Sequence, residues 1–398
     1  MTYESLGSTE PIEAGDFPEW MLFEFLVRLP YEVLFRLKLV SKEWCRMISD
    51  TCFARMYVDR ISHSKRWILV SSFAKERPTN QFILNNEGCA NWLDLLMLPP
   101  HQLGVDRFQN IVVGSSNGFL LYGPRSVFPP WRLLNDYIYE ICNPVTGQRI
   151  ILPPSQHRFE LVATGFVTQI EDNVLKSYRV VRVEVHHMDL GSIRLNVYSS
   201  ETRRWEYHTI HDRINFYRWR NPVTLGRTLH WIIDGYRQLA AYDPYDKPDS
   251  VRLIPLPSHD VARADIEFKN VLLDQHQGHL RYVEMSLNSS QGHTMYQHWD
   301  HLSVWILNDY DSGSWSLQHS VSGDGLMTTS VPLCFHPLDS NVLYIVNNAA
   351  LLSYNFGTRE LKIEDDSRPG YTNRVPYCLY YFLFVIPPWP VFIDPSLF

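Results

Sequence analysis

Residues 16–60 read DFPEWMLFEFLVRLPYEVLFRLKLVSKEWCRMISDTCFARMYVDR, and this stretch decides how the whole chain is interpreted. Its apolar residues recur at the i, i+3, i+4, i+7 spacing of an amphipathic helix over residues 22–29 and again over 33–37. Pro30 separates these two segments, and a third helical pattern runs over residues 40–48. The stretch therefore predicts a small all-α unit of three to four short helices.

Capping residues support these boundaries. Asp16 and Glu19 have the spacing of a capping box, and Pro18 suits the first turn of the helix that follows. Ser41 is the predicted N-cap of the third helix, and Asp50 that of a last short helix.

The predicted helical unit is small for the number of apolar side chains it carries. About 45 residues is close to the lower limit for an independent core. Burial of one large apolar side chain contributes about 1.5–3 kcal/mol, so several left exposed would be a large unused driving force. Two interpretations remain open, namely packing on the rest of the same chain and docking to another protein. The apolar residues off the main stripes are Phe17, Trp20, Met21, Phe23 and Phe35.

The order and spacing of these residues resemble an F-box. The matching positions are Phe17-Pro18, Glu19, Met21-Leu22, Glu24, Leu26, Arg28-Leu29-Pro30, Val33-Leu34, Leu37, Val40-Ser41-Lys42 and Trp44. Two positions depart from the pattern, because Phe17 replaces the first Leu and Trp20 replaces the second polar residue. Both replacements are bulky and apolar.

An F-box implies binding to a Skp-type adaptor and, through it, to a cullin–RING ubiquitin ligase. Residues 28–66 carry nine Lys/Arg against four Asp/Glu, a local balance that suits an acidic partner. The residues that the resemblance predicts to bind the adaptor are Phe17, Pro18, Met21, Leu22, Phe25, Leu29, Pro30, Leu34, Leu37, Val40 and Trp44.

Composition limits the class of protein. The 398 residues are 45% hydrophobic and 20% charged, which is typical of a folded globular chain. A net charge of −7 argues against a general nucleic-acid binder. Six scattered cysteines indicate reduced thiols in a cytoplasmic or nuclear protein. The polar residues 1–14 do not resemble a signal peptide, and the longest apolar run, residues 379–386, is too short to span a membrane.

The predicted domains are a disordered tail at residues 1–14, the F-box at 15–62, a joint at 63–66 and a strand-rich domain at 67–398. In the last of these, short β patterns are separated by Gly, Pro, Asn and Asp. We find no long helix there. The fold class is therefore mainly β, as a barrel, sandwich or propeller.

A weak repeat favours the propeller. Each copy is a strand, a turn and a strand, and the copies span residues 139–153, 195–208, 239–257, 304–318 and 351–363. Their turn anchors are 56, 44, 65 and 47 residues apart, close to the roughly 50-residue period of kelch-type blades. The turn is predicted to join the two outer strands of each blade. These anchors are Asn143, Ser199, Asp243, Asn308 and Asn355.

A second signature is a Gly shortly before a strand, at Gly118, Gly226 and Gly278. We interpret these glycines as allowing close approach near the central channel. The strings SSNGFLLY, NPVTGQRIILPP, GRTLHWI and LAAYDPYDK resemble the F-box-associated kelch-type domain of plant F-box proteins. The resemblance implies a β-propeller, to which we assign six blades, with residues 67–98 as the sixth and residues 380–386 closing the ring.

Catalytic constellations are not evident in the sequence. It contains no Gly-x-Ser-x-Gly elbow, phosphate-binding loop or His-Glu-x-x-His motif. His186 and His187 would point to opposite faces of a strand, and His293, His298 and His301 are better explained as loop residues. We therefore predict no catalytic residue, no metal and no cofactor.

Three segments are rich in the residue types that dominate interfaces, at residues 130–132, 216–220 and 296–300. They are candidates for contacting a target protein, and packing between blades is the alternative. The residues concerned are Trp131, Arg132, Arg218, Trp219, Arg220, Tyr296 and Trp299.

The sequence as a whole predicts a non-catalytic substrate receptor of an SCF-type (Skp–cullin–F-box) ubiquitin ligase. Two alternatives remain: a propeller enzyme or small-ligand binder with a helical cap, and an F-box scaffold that never recruits the cullin.

Overall fold

The computed structural model divides the chain into two compact units, residues 1–65 and 66–398. It describes residues 18–61, 67–72, 80–85, 110–124, 138–144, 146–157, 159, 162–184, 192–211, 222–233, 238–257, 269–286, 301–322, 330–347, 350–365, 380–385 and 391–398. None of the helices in these ranges is long and apolar enough to cross a membrane.

Residues 18–61 of the N-terminal unit form four short helices, within the predicted three to four: Glu19–Leu26 (α1), Tyr31–Leu37 (α2), Lys42–Ile48 (α3) and Thr51–Ile61 (α4). Two predicted caps are confirmed. The Ser41 hydroxyl accepts a hydrogen bond from the Trp44 backbone N–H at 3.1 Å, and the Asp50 carboxylate accepts one from the Cys52 N–H at 2.7 Å. Pro18 lies at the N-cap of α1, not in its first turn, and Asp16 lies outside the described residues.

Three aromatic side chains pack together in the core of the helical unit. Phe53 of α4 is fully buried, with its ring 5.0 Å from Phe23 in an edge-to-face arrangement and 6.3 Å from Tyr57. The Tyr57 hydroxyl donates a hydrogen bond to the carbonyl of Leu29 at 3.1 Å, which ties α4 to the connection between α1 and α2. The other buried apolar residues are Leu26, Val27, Leu34, Met47, Ile48 and Ala54.

The described residues of the C-terminal unit form a β-propeller with five blades. Blade 1 consists of Asn110–Ser116 (β3), Phe119–Pro124 (β4), Glu140–Cys142 (β5) and Arg149–Ile151 (β6). Blade 2 consists of Val162–Glu171 (β7), Val174–Glu184 (β8), Ile193–Ser199 (β9) and Arg204–Ile210 (β10). Blade 3 consists of Val223–Leu225 (β11), Thr228–Ile233 (β12), Gln238–Tyr242 (β13) and Arg252–Pro255 (β14). Blade 4 consists of Lys269–His276 (β15), His279–Ser286 (β16), His301–Asp309 (β17) and Ser314–Ser322 (β18). Blade 5 consists of Ser330–Phe335 (β19), Val342–Asn347 (β20), Ala350–Asn355 (β21) and Glu360–Asp365 (β22).

A smaller closing sheet completes the ring. It consists of Trp67–Ser72 (β1), Asn80–Asn85 (β2) and Tyr380–Val385 (β23), in the order β2-β1-β23. β23 lies beside β3 and β2 beside β22, while the first strands of the five blades contact one another in sequence. The predicted closure by residues 380–386 is therefore confirmed. The predicted count of six blades is corrected to five, because residues 67–98 contribute two described strands and the third comes from the far end of the chain.

The repeat found in the sequence is the outer hairpin of every blade. Each copy contains the turn that joins the third strand to the fourth, as predicted. Four of the five anchors act as predicted, because their side-chain oxygens accept hydrogen bonds from backbone N–H groups two or three residues later. These bonds are Asn143 to Thr146 (3.2 Å), Ser199 to Thr202 (3.3 Å), Asp243 to Tyr245 (2.9 Å) and Asn355 to Gly357 (2.8 Å).

The anchor of the fourth copy is corrected. Asp309, not Asn308, accepts the hydrogen bond, from the Asp311 N–H at 2.9 Å. The register of β17 against β18 shifts between Leu307 and Asp309, and this irregularity moves the turn by one residue.

We expect Asn355 and Asn308 to differ in how much their side chains contribute to the free energy of unfolding. Asn355→Ala removes the acceptor for two backbone N–H groups, those of Gly357 and Thr358, and we expect it to lower the free energy of unfolding by about 1 kcal/mol. Asn308→Ala is the matched control, with an expected change below about 0.5 kcal/mol. Urea unfolding of both variants checks this. Equal losses would contradict the assignment of the anchors.

The glycines before β4, β12 and β16 have a different role from the one predicted. Gly118, Gly226 and Gly278 lie in the hairpin turns with φ of 82°, 59° and 83°, a left-handed conformation that favours glycine. A Cβ atom at Gly226 or Gly278 would meet no atom within 4 Å. Backbone conformation, not close approach, therefore explains these two glycines.

The hydrophobic core lies mainly between neighbouring blades. One buried cluster joins β7–β10 to β12 and β13, and another joins β16 and β17 to β19–β21. Two tryptophans add polar links, because Trp205 donates to the carbonyl of Pro153 and Trp315 to that of Pro255, each at 2.8 Å. Each bond starts from the fourth strand of one blade. Its acceptor is Pro153, two residues beyond the fourth strand of blade 1, or Pro255, the last residue of the fourth strand of blade 3.

Candidate functional site

Helix α1 has apolar side chains on its exposed side as well as on its buried side. At about 100° per residue, positions 20, 21, 24 and 25 share one arc of the helix. Three of these four are large apolar residues, and the exposed fractions are 65% for Trp20, 41% for Met21 and 53% for Phe25. The opposite arc carries Leu26, which is fully buried. An exposed apolar arc beside a filled core is typical of a docking surface.

The exposed apolar set continues beyond α1. Val33 on α2 is 38% exposed, and Leu39 and Val40, in the turn before α3, are 89% and 66% exposed. The predicted adaptor-binding set omits Val33, Leu39 and Trp20. Val33 matches the F-box pattern, whereas Trp20 is both a departure from that pattern and an apolar residue off the main stripes. We call Trp20, Met21, Phe25, Val33, Leu39 and Val40 the exposed apolar set.

The eleven predicted adaptor-binding residues fall into four groups. Pro18, Met21, Phe25, Pro30 and Val40 are exposed. Leu22, Leu29, Leu37 and Trp44 are partly buried.

Leu34 corrects the predicted set. It is fully buried, so it supports the helical core and does not present a docking surface. Phe17 lies outside the described residues.

Basic side chains accompany the exposed apolar set. Arg36, Lys42, Arg46 and Arg60 are exposed on the helical unit. Partial burial lowers the pKa of Lys38, against an opposing effect of Cys45. Exposed basic side chains on this unit suit a partner surface that carries carboxylates.

All seven predicted target-binding residues lie outside the described residues. The strands that flank them nevertheless end on one side of the propeller. In an antiparallel four-stranded blade, the connection from the second strand to the third and the connection from the fourth strand to the next blade lie on the same side of the propeller. Residues 130–132 follow β4, residues 216–220 follow β10 and residues 296–300 follow β16. Each of these strands therefore ends on that side of the propeller.

Perturbed titratable groups mark contacts between blades. Burial raises the pKa of Asp274 to about 6, although its carboxylate accepts hydrogen bonds from the Phe335 and Gln275 backbone N–H groups, each at 2.8 Å. Burial lowers the pKa of His230 to about 4, and its Nε2 lies 2.9 Å from the Tyr310 hydroxyl. Both side chains reach from one blade to the next. Within the described ranges, no three His, Cys, Asp or Glu side chains are grouped to hold a metal ion.

Comparison with known proteins places these features in context. The chain is 28% identical over 372 residues to the putative F-box/kelch-repeat protein At4g22430 of Arabidopsis thaliana, covering 88% of this chain and 81% of that protein. It is 26% identical over 374 residues to the F-box protein At3g26010 of the same plant, covering 89% and 82%. The putative F-box/kelch-repeat protein At1g15680 is 26% identical over 377 residues, covering 88% and 84%.

Solved structures are more distant. A protein from Lactobacillus plantarum matches with a TM-score of 0.35 and 10% identity, covering 80% of this chain and 99% of that one. An exo-beta-1,3-galactanase from Phanerochaete chrysosporium matches with a TM-score of 0.33 and 8% identity, covering 64% and 65%. At these TM-scores the likeness carries no functional argument.

A family model described as F-box protein At3g26010-like, beta-propeller, matches residues 68–389, which is most of the chain. The four N-terminal helices with the spacing of an F-box precede that match. The relatives above are named as F-box proteins, and this chain aligns with them over most of their length. The chain therefore belongs to the F-box protein At3g26010-like family of plant F-box proteins with a C-terminal kelch-type β-propeller.

Proposed function

We propose that this protein is the substrate-recognition subunit of an SCF ubiquitin ligase. The helical unit binds a Skp-type adaptor, the adaptor connects it to a cullin–RING ligase, and the propeller holds a target protein. The observation that carries the proposal is the exposed apolar arc of α1, where Trp20, Met21 and Phe25 remain accessible beside a core that is already filled. Family membership supports the same role.

In this role the chain makes and breaks no covalent bond. It contributes effective concentration and orientation, because a target held by the propeller is kept close to the ubiquitin-conjugating machinery. Targets are proteins, and neither nucleic acid nor membrane is involved. The proposed location is the cytoplasm, the nucleus or both.

The proposed target contacts are the aromatic and arginine residues that lie between strands ending at one edge of the propeller. These are Trp131, Arg132, Arg218, Trp219, Arg220, Tyr296 and Trp299. Aromatic and arginine side chains are the most frequent hot-spot residues in protein interfaces, and surface connections commonly carry recognition.

Adaptor binding is tested by substitution in the exposed apolar set. We expect Phe25→Asp to weaken co-purification with a Skp-type adaptor by at least about ten-fold, since the interface would bury an unpaired charge. Met56→Asp is the matched control, because Met56 is also an apolar helical residue and is 45% exposed, but lies on α4 outside the exposed apolar set. Its adaptor binding is expected to change less than about three-fold.

Circular dichroism of both variants verifies that the helices remain folded. Equal adaptor binding by the wild type and the Phe25→Asp variant would contradict the assignment of this surface as the adaptor-binding site. A wild-type chain that binds no adaptor at all would favour a ligand-binding propeller with a helical cap. Co-purification of the cullin with the adaptor complex separates a ligase receptor from an F-box scaffold that stops at the adaptor.

A further inference from the structure

Residues 391–398 contact the propeller, and two of them form an added strand. Phe392–Ile393 (β24) pairs in parallel with Val174 and Leu175 at the start of β8. The Phe392 N–H donates to the carbonyl of Asn173 at 2.9 Å, and the Asp394 N–H to that of Leu175 at 3.3 Å. Every other pairing among the described strands is antiparallel. Addition of an extended segment to an exposed strand edge is a common mode of peptide recognition.

Blade 1 contacts the same segment through two side-chain amides. The Asn143 amide donates to the carbonyl of Val391, and the Gln148 side-chain carbonyl accepts from the Ile393 N–H at 3.2 Å. Both residues belong to the turn between β5 and β6, where Asn143 is also the turn anchor. The backbone of residues 391–394 is therefore bound on one side by blade 1 and on the other by blade 2.

The side chains of residues 391–394 indicate which peptide sequence this surface can bind. Val391 and Ile393 are 5% and 2% exposed and belong to the core cluster shared by blades 1 and 2. Asp394 follows directly, and its carboxylate lies 3.0 Å from the Lys176 ammonium. Hydrogen bonding by Ser396 and by Lys176 lowers the pKa of Asp394 to about 2, so the pair is charged at neutral pH. The bound pattern is apolar, any residue, apolar, acidic.

The surface extends beyond this pattern into a cavity of about 390 Å³. The Arg203 guanidinium donates to the carbonyl of Ser396 at its rim. Leu397 and Phe398 of the segment line this cavity together with the propeller, and Phe398 is still 57% exposed. The lining residues on the propeller are Arg149, Ile150, Ile151, Pro153, Tyr198 and Arg203.

We propose that this surface between blades 1 and 2 is a peptide-binding groove that the chain's own residues 391–398 occupy in cis. Its partner is an extended peptide segment with the pattern apolar, any residue, apolar, acidic, and such a partner must displace the tail. The family match ends at residue 389, so the segment lies outside the residues that the match covers. The proposal does not depend on adaptor binding, because the helical unit takes no part in it.

The test must account for residues 391–398 being attached to the same chain as the groove. A segment attached by a short connection has an effective concentration of roughly millimolar, so a free peptide competes poorly with it. Wild type is therefore expected to bind little of a labelled octapeptide VFIDPSLF. A full-length chain with Ile393→Asp loses its own tail contact, because the substitution places a charge in an apolar core, and its groove becomes available.

The experiment measures fluorescence anisotropy of the labelled octapeptide with full-length protein. We expect Ile393→Asp protein to bind it at least about ten-fold more tightly than wild type does. Ile363→Asp is the matched control, since Ile363 is 62% exposed on β22 in blade 5, and this variant is expected to behave like wild type. No binding by a folded Ile393→Asp protein would overturn the proposal, as would equal binding by the Ile363→Asp control.

Charge reversal gives a second test of the groove. Adding Lys176→Asp to the Ile393→Asp chain is expected to weaken the octapeptide about five-fold, and a peptide carrying Asp394→Lys should recover the loss. If the Ile393→Asp chain unfolds, the full-length Asp394→Lys variant replaces it, because this residue contacts the propeller through the surface pair with Lys176. An octapeptide affinity unchanged by charge reversal on either side would overturn the groove.

Discussion

Oxidation of the double variant Ser71→Cys/Tyr381→Cys is expected to raise the free energy of unfolding of the propeller by up to about 5 kcal/mol. Ser71 and Tyr381 are directly opposite in the pairing of β1 with β23. Opposite residues in an antiparallel pair have Cα atoms about 4.5–5.5 Å apart, which suits a disulfide. The bridge would enclose almost the whole propeller, and the loss of unfolded-state entropy grows with the length of the closed loop.

The reduced form of the same double variant is the reference, so that loss of the tyrosine cancels in the comparison. Cys52→Ser is included in the background, because Cys52 is an exposed thiol. Urea unfolding of the two forms measures the difference. The pair Ser71→Cys/Phe384→Cys is three residues out of register, about 10 Å apart along the strand, and is expected not to close. Ready closure of the out-of-register pair would contradict the observed pairing.

Phe53→Ala is expected to unfold the helical unit and leave the propeller folded. Phe53 is fully buried and contacts two aromatic rings, those of Phe23 and Tyr57. Truncation of a buried Phe to Ala costs about 3–5 kcal/mol. A domain of this size rarely has more than about 3–5 kcal/mol of stability, so the substitution removes most of it. Adaptor binding is expected to disappear with the helices.

Met56→Ala on the same helix is the control, because Met56 is 45% exposed and its truncation is expected to cost less than about 1 kcal/mol. Far-UV circular dichroism reports the helices, and limited proteolysis reports each unit separately. A Phe53→Ala chain that keeps its helical signal would show that the core does not depend on this ring. Loss of the propeller together with the helices would show that the two units fold as one.

Local chemistry explains why much of the fold could be predicted. The Ser41 and Asp50 caps and the outer hairpins depend on residues two to four positions apart, which a sequence pattern records directly. The pairing of β1 with β23 depends on two segments at opposite ends of the propeller domain, and only the need to close a ring pointed to it. The shift from Asn308 to Asp309 results from a register irregularity that the residue types do not reveal.

Hydrophobic periodicity was a less reliable guide to the candidate site. A helical stripe reports which side chains are buried, and Leu34 shows that the predicted docking stripe includes core residues. The side chains available to a partner are the exposed ones, which do not pack in the helical core. Trp20 and Leu39 are of this kind, and neither belongs to the regular i, i+3, i+4 pattern. Parallel addition of β24 to β8 likewise had no signal in the periodicity.

The pairing of β1 with β23 also sets an order for events during synthesis. A ribosome makes the four helices first and β23 among the last strands, so the helical unit can be complete while the ring is still open. A chain interrupted before residue 380 would carry the F-box without a closed propeller. If the proposed function is correct, such a chain would occupy adaptors without presenting targets. On the proposed function, synthesis of β23 is therefore the step after which the chain can both bind the adaptor and present a target.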